Sequence, residues 1–193
     1  MLNNSCRIFF VYSGEMFYLM KKSVAVALLL LLFIINTSFF YHSGPASDAY
    51  YIIIKKHAYE LRVYDAKGWL ATYPVVFGNK DLKDKMVEGD RETPEGNFRI
   101  TSKRVHSKWC RMMMLDFPNA ESIQKFNIRK QQGIIPANAK IGGGVGIHGT
   151  WPHEDFAIDR YDNWTQGCIS MKNEDVIELY NMIPVGTRVS IQK

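Results

Sequence analysis

The sequence is poor in cysteine, in blocks of positive charge and in repeats. Three cysteines occur among 193 residues, Cys6, Cys110 and Cys168. Two in the part beyond the N-terminal region cannot build a disulfide framework, although one bridge could form. The formal net charge is +5, from 24 basic and 19 acidic side chains. No Lys/Arg block gathers it, so a nucleic-acid-binding arm is not expected. No Gly-Lys-Ser/Thr occurs, which excludes a Walker phosphate loop. There is no internal repeat and no low-complexity stretch, which leaves one globular unit of ordinary composition.

Long apolar runs are also absent, with one exception. Met20, Lys21 and Lys22 precede an unbroken apolar stretch from Val24 to Ile35. A basic cap before an apolar run of about 7–15 residues reads as a secretory signal. The Met-Lys-Lys start places the true translation start at Met20, with residues 1–19 an extension. A spanning helix needs about 20 apolar residues, and Asn36, Thr37 and Ser38 interrupt the continuation to Tyr41. No clean A-x-A cleavage site follows. Residues 1–41 therefore read as an N-terminal extension plus either a cleaved signal peptide or a membrane anchor. Either form keeps Lys21 and Lys22 cytoplasmic and exports the rest. Residues 42–49 read as a short polar linker.

From Tyr50 the pattern is mostly that of strands. YYIIIKK is β-branched, and ELRVYD alternates Leu61 and Val63 with polar neighbours. The turn Asp65–Gly68 predicts a hairpin with the segment that follows. Residues 79–93 read as a charged loop; GNFRITSK and WCRMMMLDF read as strands, and 120–130 as a short helix. Near the end, Asn173 reads as the N-cap of a helix whose inner face carries Val176, Leu179, Tyr180 and Ile183, stopped by Pro184 and Gly186. TRVSIQ closes the domain as a strand. Residues 50–193 thus form one β-rich domain.

The stretch GVGIHGT places Gly144, Gly146 and Gly149 as a literal G-x-G-x-x-G. A dinucleotide site needs a helix directly after these glycines and an acidic residue about twenty positions on. Thr150, Trp151 and Pro152 follow instead, and Cys168 and Ile169 stand where the acid would be. Nucleotide binding is not expected. The glycines then serve a close backbone approach around His148. Downstream, NWTQGCISM sets Cys168 after Gly167 and ahead of the helix, whose N-terminus would lower its thiol pKa. With a histidine in reach this is the pair for nucleophilic catalysis, and N–H groups near Gly167 and Cys168 could hold an oxyanion. A buried structural cysteine beside a satisfied loop histidine fits the same residues. Cys110 reads as a small core residue.

IHGT followed by TQGCISMKNEDVIELY resembles the catalytic signature of bacterial L,D-transpeptidases, the YkuD-like domain. That signature is His-Gly, a spacer, then Ser/Thr-x-Gly-Cys. The block EGDRETPEGNFRI, 88–100, resembles the G-D-x-x-T-P-x-G-x-F/Y stretch of the same family. DFPNAES, 116–122, is similar to the subgroup holding murein L,D-transpeptidases and lipoprotein-releasing amidases. The resemblance implies a mainly β fold, a twisted β-sandwich-like domain with a few short helices. It implies Cys168 as the acylated nucleophile and His148 as its base. Gly149 and Thr150 would shape the loop, Gly167 would serve the oxyanion, and Thr165 and Gln166 complete the signature as substrate-side residues. Two departures are Gln166, where many members carry histidine, and Ser170, where many carry arginine. The second implies a weaker hold on a carboxylate-bearing peptide, unless Arg129 or Arg160 reaches in.

The activity so implied is cysteine-dependent acyl transfer on peptidoglycan stem peptides, in the cell envelope, without cofactor or metal. Alternatives are an amidase acting on a murein peptide or a murein-linked lipoprotein, and a non-catalytic peptidoglycan-binding module. His148, His153, Asp155 and Asp159 crowd one region, but H-x₄-H in a loop is weak evidence for zinc. Trp151 and Trp164 could line a groove or pack as core, and Asp162 could orient His148.

Overall fold

A computed structural model describes residues 49–193. The signal or anchor segment, the extension and nearly all of the linker lie outside the described residues. Among those described, no helix is long and apolar enough to cross a membrane. The fold is mainly β.

Eight strands form one sheet: β1 (Tyr50–Lys55), β2 (Glu60–Asp65), β3 (Gly68–Pro74), β4 (Gly96–His106), β5 (Cys110–Leu115), β6 (Gly146–His148), β7 (Ile169–Ser170) and β8 (Arg188–Gln192). Their spatial order is β3-β2-β1-β8-β4-β5-β6-β7. Among the described residues three helices accompany them: α1 (Ala120–Gln131), α2 (Phe156–Asp159) and α3 (Asn173–Met182). Period-2 alternation sends Ile52, Ile54, Leu61 and Val63 inward. The hairpin falls where the turn predicts it, with Asp65 Oδ1 accepting from the N–H groups of Lys67 and Gly68.

The sheet curls until its two edges touch. Beyond β3, Val76 exchanges both backbone hydrogen bonds with Ser170 of β7, at 2.8 and 2.9 Å. A bulge in β4 between Ile100 and Ser102 helps the bend. The enclosed core joins Ile52 and Phe98 from one half to Met113, Ile147 and Ile169 from the other. Helix α3 and its C-cap residue lay Val176, Leu179 and Ile183 into that core, all fully buried. Each such side chain contributes about 1.5–3 kcal/mol of apolar burial.

Two expectations need correction. Asn173 is the first residue of α3, and Lys172 holds the cap position with no side-chain cap bond. The capping acceptor comes from elsewhere in the chain: Asp155 Oδ1 takes the Asn173 N–H at 3.0 Å. The short α2 lies in the spacer after Gly149, where no helical periodicity is legible. It is one turn long and does not follow the glycines directly, so the βα turn of a dinucleotide site is not formed.

Candidate active site

His148 ends β6 and Cys168 directly precedes β7. These strands run parallel, with Ile147 opposite Ile169 and His148 opposite Ser170. Cys168 is two residues before Ser170, so on an extended backbone it shares the face of His148. The seam where the sheet's edges meet thus brings together the two residues singled out in the sequence.

His148 is 2% exposed. Its Nδ1 lies 2.7 Å from the Gly149 carbonyl oxygen. A carbonyl only accepts, so Nδ1 carries the proton and Nε2 keeps its lone pair. Trp109 stacks on the ring at 4.7 Å and Trp164 meets it edge-on at 5.6 Å. His106 stacks on Trp109 at 4.5 Å. Burial pushes the imidazole pKa down to about 4; the Gly149 carbonyl opposes this and His106 adds to it.

Cys168 is half-buried, with Sγ 3.5 Å from the Gly144 carbonyl oxygen. That contact suits S–H and not a thiolate. Burial pushes the thiol pKa up, partly offset by the Gly146 N–H and the charge of Lys85. The expected acidifying helix N-terminus is not adjacent: β7, Met171 and Lys172 intervene before α3. The resting pair is a neutral thiol and a neutral imidazole whose Nε2 carries no proton. Such a base can take the S–H proton as sulfur attacks a carbonyl carbon.

The remaining signature residues occupy distinct places. Gln166 is exposed. Thr165 is buried; its hydroxyl donates to Cys168 O at 2.7 Å and accepts from Gly167 N at 3.1 Å. The Gly167 N–H is therefore already spent and is not spare for an oxyanion. The Cys168 N–H, for which the described residues show no acceptor, is the donor left at that turn. Gly167 has φ +119°, and a Cβ there would stand 2.8 Å from the Glu92 carbonyl oxygen. Gly149 packs so closely that a Cβ would meet Asn173 Oδ1 at 2.3 Å. Thr150 is buried, its hydroxyl bonded to Asp155 and Asn173. It shapes the loop and does not face a groove.

Ser170 is fully buried and its Oγ lies 3.4 Å from the Gly149 oxygen that anchors His148. Position 170 therefore backs the imidazole and does not line open space. Arg129 is held by Asp84 Oδ2 and the Lys85 carbonyl, and Arg160 lies over Phe156. Asp162 is exposed, and a backbone carbonyl orients His148 instead. Of the region considered for zinc, Asp155 caps α3 and Asp159 pairs with Lys172 at 2.7 Å. Trp151 is 37% exposed, and Cys110 is a free, half-buried thiol.

The acidic block 88–100 acquires a mechanical role that its sequence does not disclose. Asp90 accepts from Lys85 Nζ and from the N–H groups of Met86, Val87 and Glu92, at 2.7 to 3.0 Å. Arg91 reaches the carbonyls of Thr165 and Asn163 at 3.3 and 3.4 Å. With the Glu92 carbonyl against Gly167, the block braces the turn that carries Cys168. Trp109 was not legible as a site residue either, because only the register of Met112 against His148 brings it there.

The sequence model of the YkuD family, L,D-transpeptidase catalytic domain, matches residues 49–191. The putative L,D-transpeptidase YqjB of Bacillus subtilis is 30% identical over 142 residues, covering 73% of this chain and 70% of its own. The putative L,D-transpeptidase YkuD of Bacillus licheniformis is 28% identical over 150 residues, covering 76% and 68%. Among solved structures, Bd1075 of Bdellovibrio bacteriovorus superposes on 78% of the chain with a TM-score of 0.56 at 20% identity. The helical cell shape determining protein Pgp2 of Campylobacter jejuni superposes on 75%, also at 0.56, with 23% identity. The chain spans only 50% and 48% of those two proteins, and the likeness is one of fold. With the paired motifs at the sheet seam, the curled sheet around them and the match across residues 49–191, the chain belongs to the L,D-transpeptidase catalytic-domain family.

Proposed function

We propose that this chain is a cell-envelope enzyme that transfers an acyl group from peptidoglycan stem peptides through Cys168. The observation that carries this reading is the His148 Nδ1 bond to Gly149, which leaves Nε2 as the unprotonated base on the face shared with Cys168. The Cys168 S–H proton passes to Nε2 while sulfur attacks the carbonyl carbon of the L-to-D peptide bond at meso-diaminopimelate. The carbonyl π electrons move to oxygen, where the Cys168 N–H is the available donor. Collapse breaks the C–N bond, and D-alanine leaves with the proton from the imidazolium. A thioester remains. An acceptor amine then attacks it, giving its proton to Nε2, and the thiolate recovers that proton.

The N-terminal segment, as signal or anchor, would deliver residues 50–193 outside the cytoplasm. Muropeptide mass spectrometry after incubating the protein with purified sacculi tests the activity. New 3→3 cross-links and free D-alanine are expected. Shortened stems or freed lipoprotein without cross-links would move the assignment to an amidase. Unchanged sacculi would overturn the enzymatic reading.

A further inference from the structure

We infer that Lys85 is a specificity-determining residue of the cysteine site, whose ammonium receives an anionic group, the carboxylate of the amino acid on the leaving side of the scissile bond. Three observations support this. A Cβ built on Gly167 would lie 3.9 Å from Lys85 Nζ, so the ammonium flanks the residue next to the nucleophile. Its side chain is only 5% exposed, and the one hydrogen bond described for it goes to Asp90 Oδ1 at 2.7 Å. An ammonium has three donors, so two remain uncommitted within the described residues. Asp90 in turn accepts three backbone N–H groups, which disperse its charge and leave Lys85 as the unsatisfied end of the pair.

The ammonium is also held in place. The Lys85 carbonyl accepts from Arg129 of α1 at 2.8 Å, and Asp84 beside it binds both Arg129 and the Glu95 N–H. A charge fixed in a nearly dry wall discriminates ligands by charge more strongly than one on a solvated tether. The proposed leaving residue, a terminal D-amino acid, carries its carboxylate two bonds from the scissile nitrogen. Ser170 cannot serve in this place, being fully buried with its Oγ beside the Gly149 carbonyl oxygen.

The choice of leaving carboxylate rests on the proposed function, but the anion preference does not, and the test separates them. Alkylation of Cys168 by anionic iodoacetate and by neutral iodoacetamide is followed by mass spectrometry of the Cys168-bearing peptide. In both, thiolate sulfur displaces iodide from carbon and forms a thioether, so any change in thiol acidity cancels in the rate ratio. Normalised to the same ratio for 2-mercaptoethanol, the protein should favour iodoacetate by about tenfold, a charge-assisted contact of about 1.4 kcal/mol, and high salt should reduce this only partly. Lys85→Gln should bring the normalised ratio to about one. Lys85→Arg should retain the preference, and Asp90→Asn, which leaves the ammonium without its counter-charge, should raise it. A normalised ratio near one in the wild type, or no fall in a folded Lys85→Gln, overturns the inference. Should Lys85→Gln not fold, the wild-type ratio and the direction of the Asp90→Asn change decide. In a second arm, a stem tetrapeptide with a free C-terminal carboxylate is compared with its C-terminal amide. A preference for the acid that disappears in Lys85→Gln supports the assignment to the leaving residue. Equal turnover of acid and amide by the wild type refutes that assignment. No turnover of either by the wild type refutes the proposed function and leaves the alkylation ratio to judge Lys85.

Discussion

Cys168 and His148 form a pair that is uncharged at rest, and this decides how each should respond to change. Cys168→Ser should remove nearly all turnover, because a hydroxyl is a far weaker nucleophile beside a lone imidazole. Cys110→Ser, at a position whose Sγ lies 4.0 Å from the Asn173 carbonyl oxygen at the start of α3, should retain most of it. His148→Ala should slow acylation by about 10²–10⁴-fold, the usual reach of a general base. The pH dependence follows from burial. With its pKa lowered from 6.5 to about 4, His148 stays a competent base well into the acid range. The acid limb of kcat/KM should therefore fall near pH 4, and a midpoint near 6.5 would show a solvated imidazole. The same shift appears in stability. Between pH 6.5 and about 4 the unfolded chain binds a proton at His148 that the folded chain refuses, so stability must drop as pH falls through that window. Over the full shift the loss is about 3 kcal/mol, read as a falling Tm that His148→Gln flattens. The thiol, raised by burial, should keep gaining alkylation rate beyond about pH 8.5, the ordinary thiol value.

At the scale of elements, two small devices hold the site. The turn before Cys168 depends on Gly167, whose positive φ and contact with the Glu92 carbonyl leave no place for a side chain. Gly167→Ala should cost about 1–3 kcal/mol of backbone strain and lower kcat as well, checked by thermal melting beside steady-state kinetics. Helix α3 depends on a cap borrowed across the fold. Asp155→Ala should lower stability by about 0.5–2 kcal/mol, although Asp155 lies far from α3 in sequence. These devices mark where sequence reading succeeds and fails. Alternation in ELRVYD and the apolar face of α3 are periodic signals, and they place strands and helix with little error. The His-Gly and Thr-x-Gly-Cys motifs disclose the pair because the chemistry requires those residue types. The cap was assigned to Asn173 because a local polar residue is the usual acceptor, whereas the tertiary structure supplies Asp155. The acidic thiol was likewise inferred from nearness to a helix along the chain, and the strand β7 between them removes it. Trp109 and Lys85 carry no motif at all, since sheet register and the curl of the loop alone bring them to the site.

At the scale of the molecule, the order of strands in space differs from their order along the chain. A reporter fused after Lys193 should be active only outside the cytoplasm if Lys21 and Lys22 orient the segment that follows. Strand β8, the last of the eight in chain order among the described residues, lies inside the sheet, parallel to β1 on one side and antiparallel to β4 on the other, with Val189 and Ile191 buried. A chain ending at Thr187 should lack native far-UV dichroism and be rapidly proteolysed, since β1 and β4 would each present an unpaired edge. The late arrival of β8 also sets a timetable. A polypeptide that leaves a ribosome or threads a translocation pore N-terminus first cannot join its two half-sheets until Arg188–Gln192 are free. The early hairpins can form by then, but the cooperative structure cannot. Chains stalled with β8 still inside the exit tunnel should remain protease-sensitive, and the emergence of β8 should confer resistance in one step. An enzyme arranged this way stays threadable until β8 has been made, and its Cys168–His148 pair is assembled only after that strand has crossed.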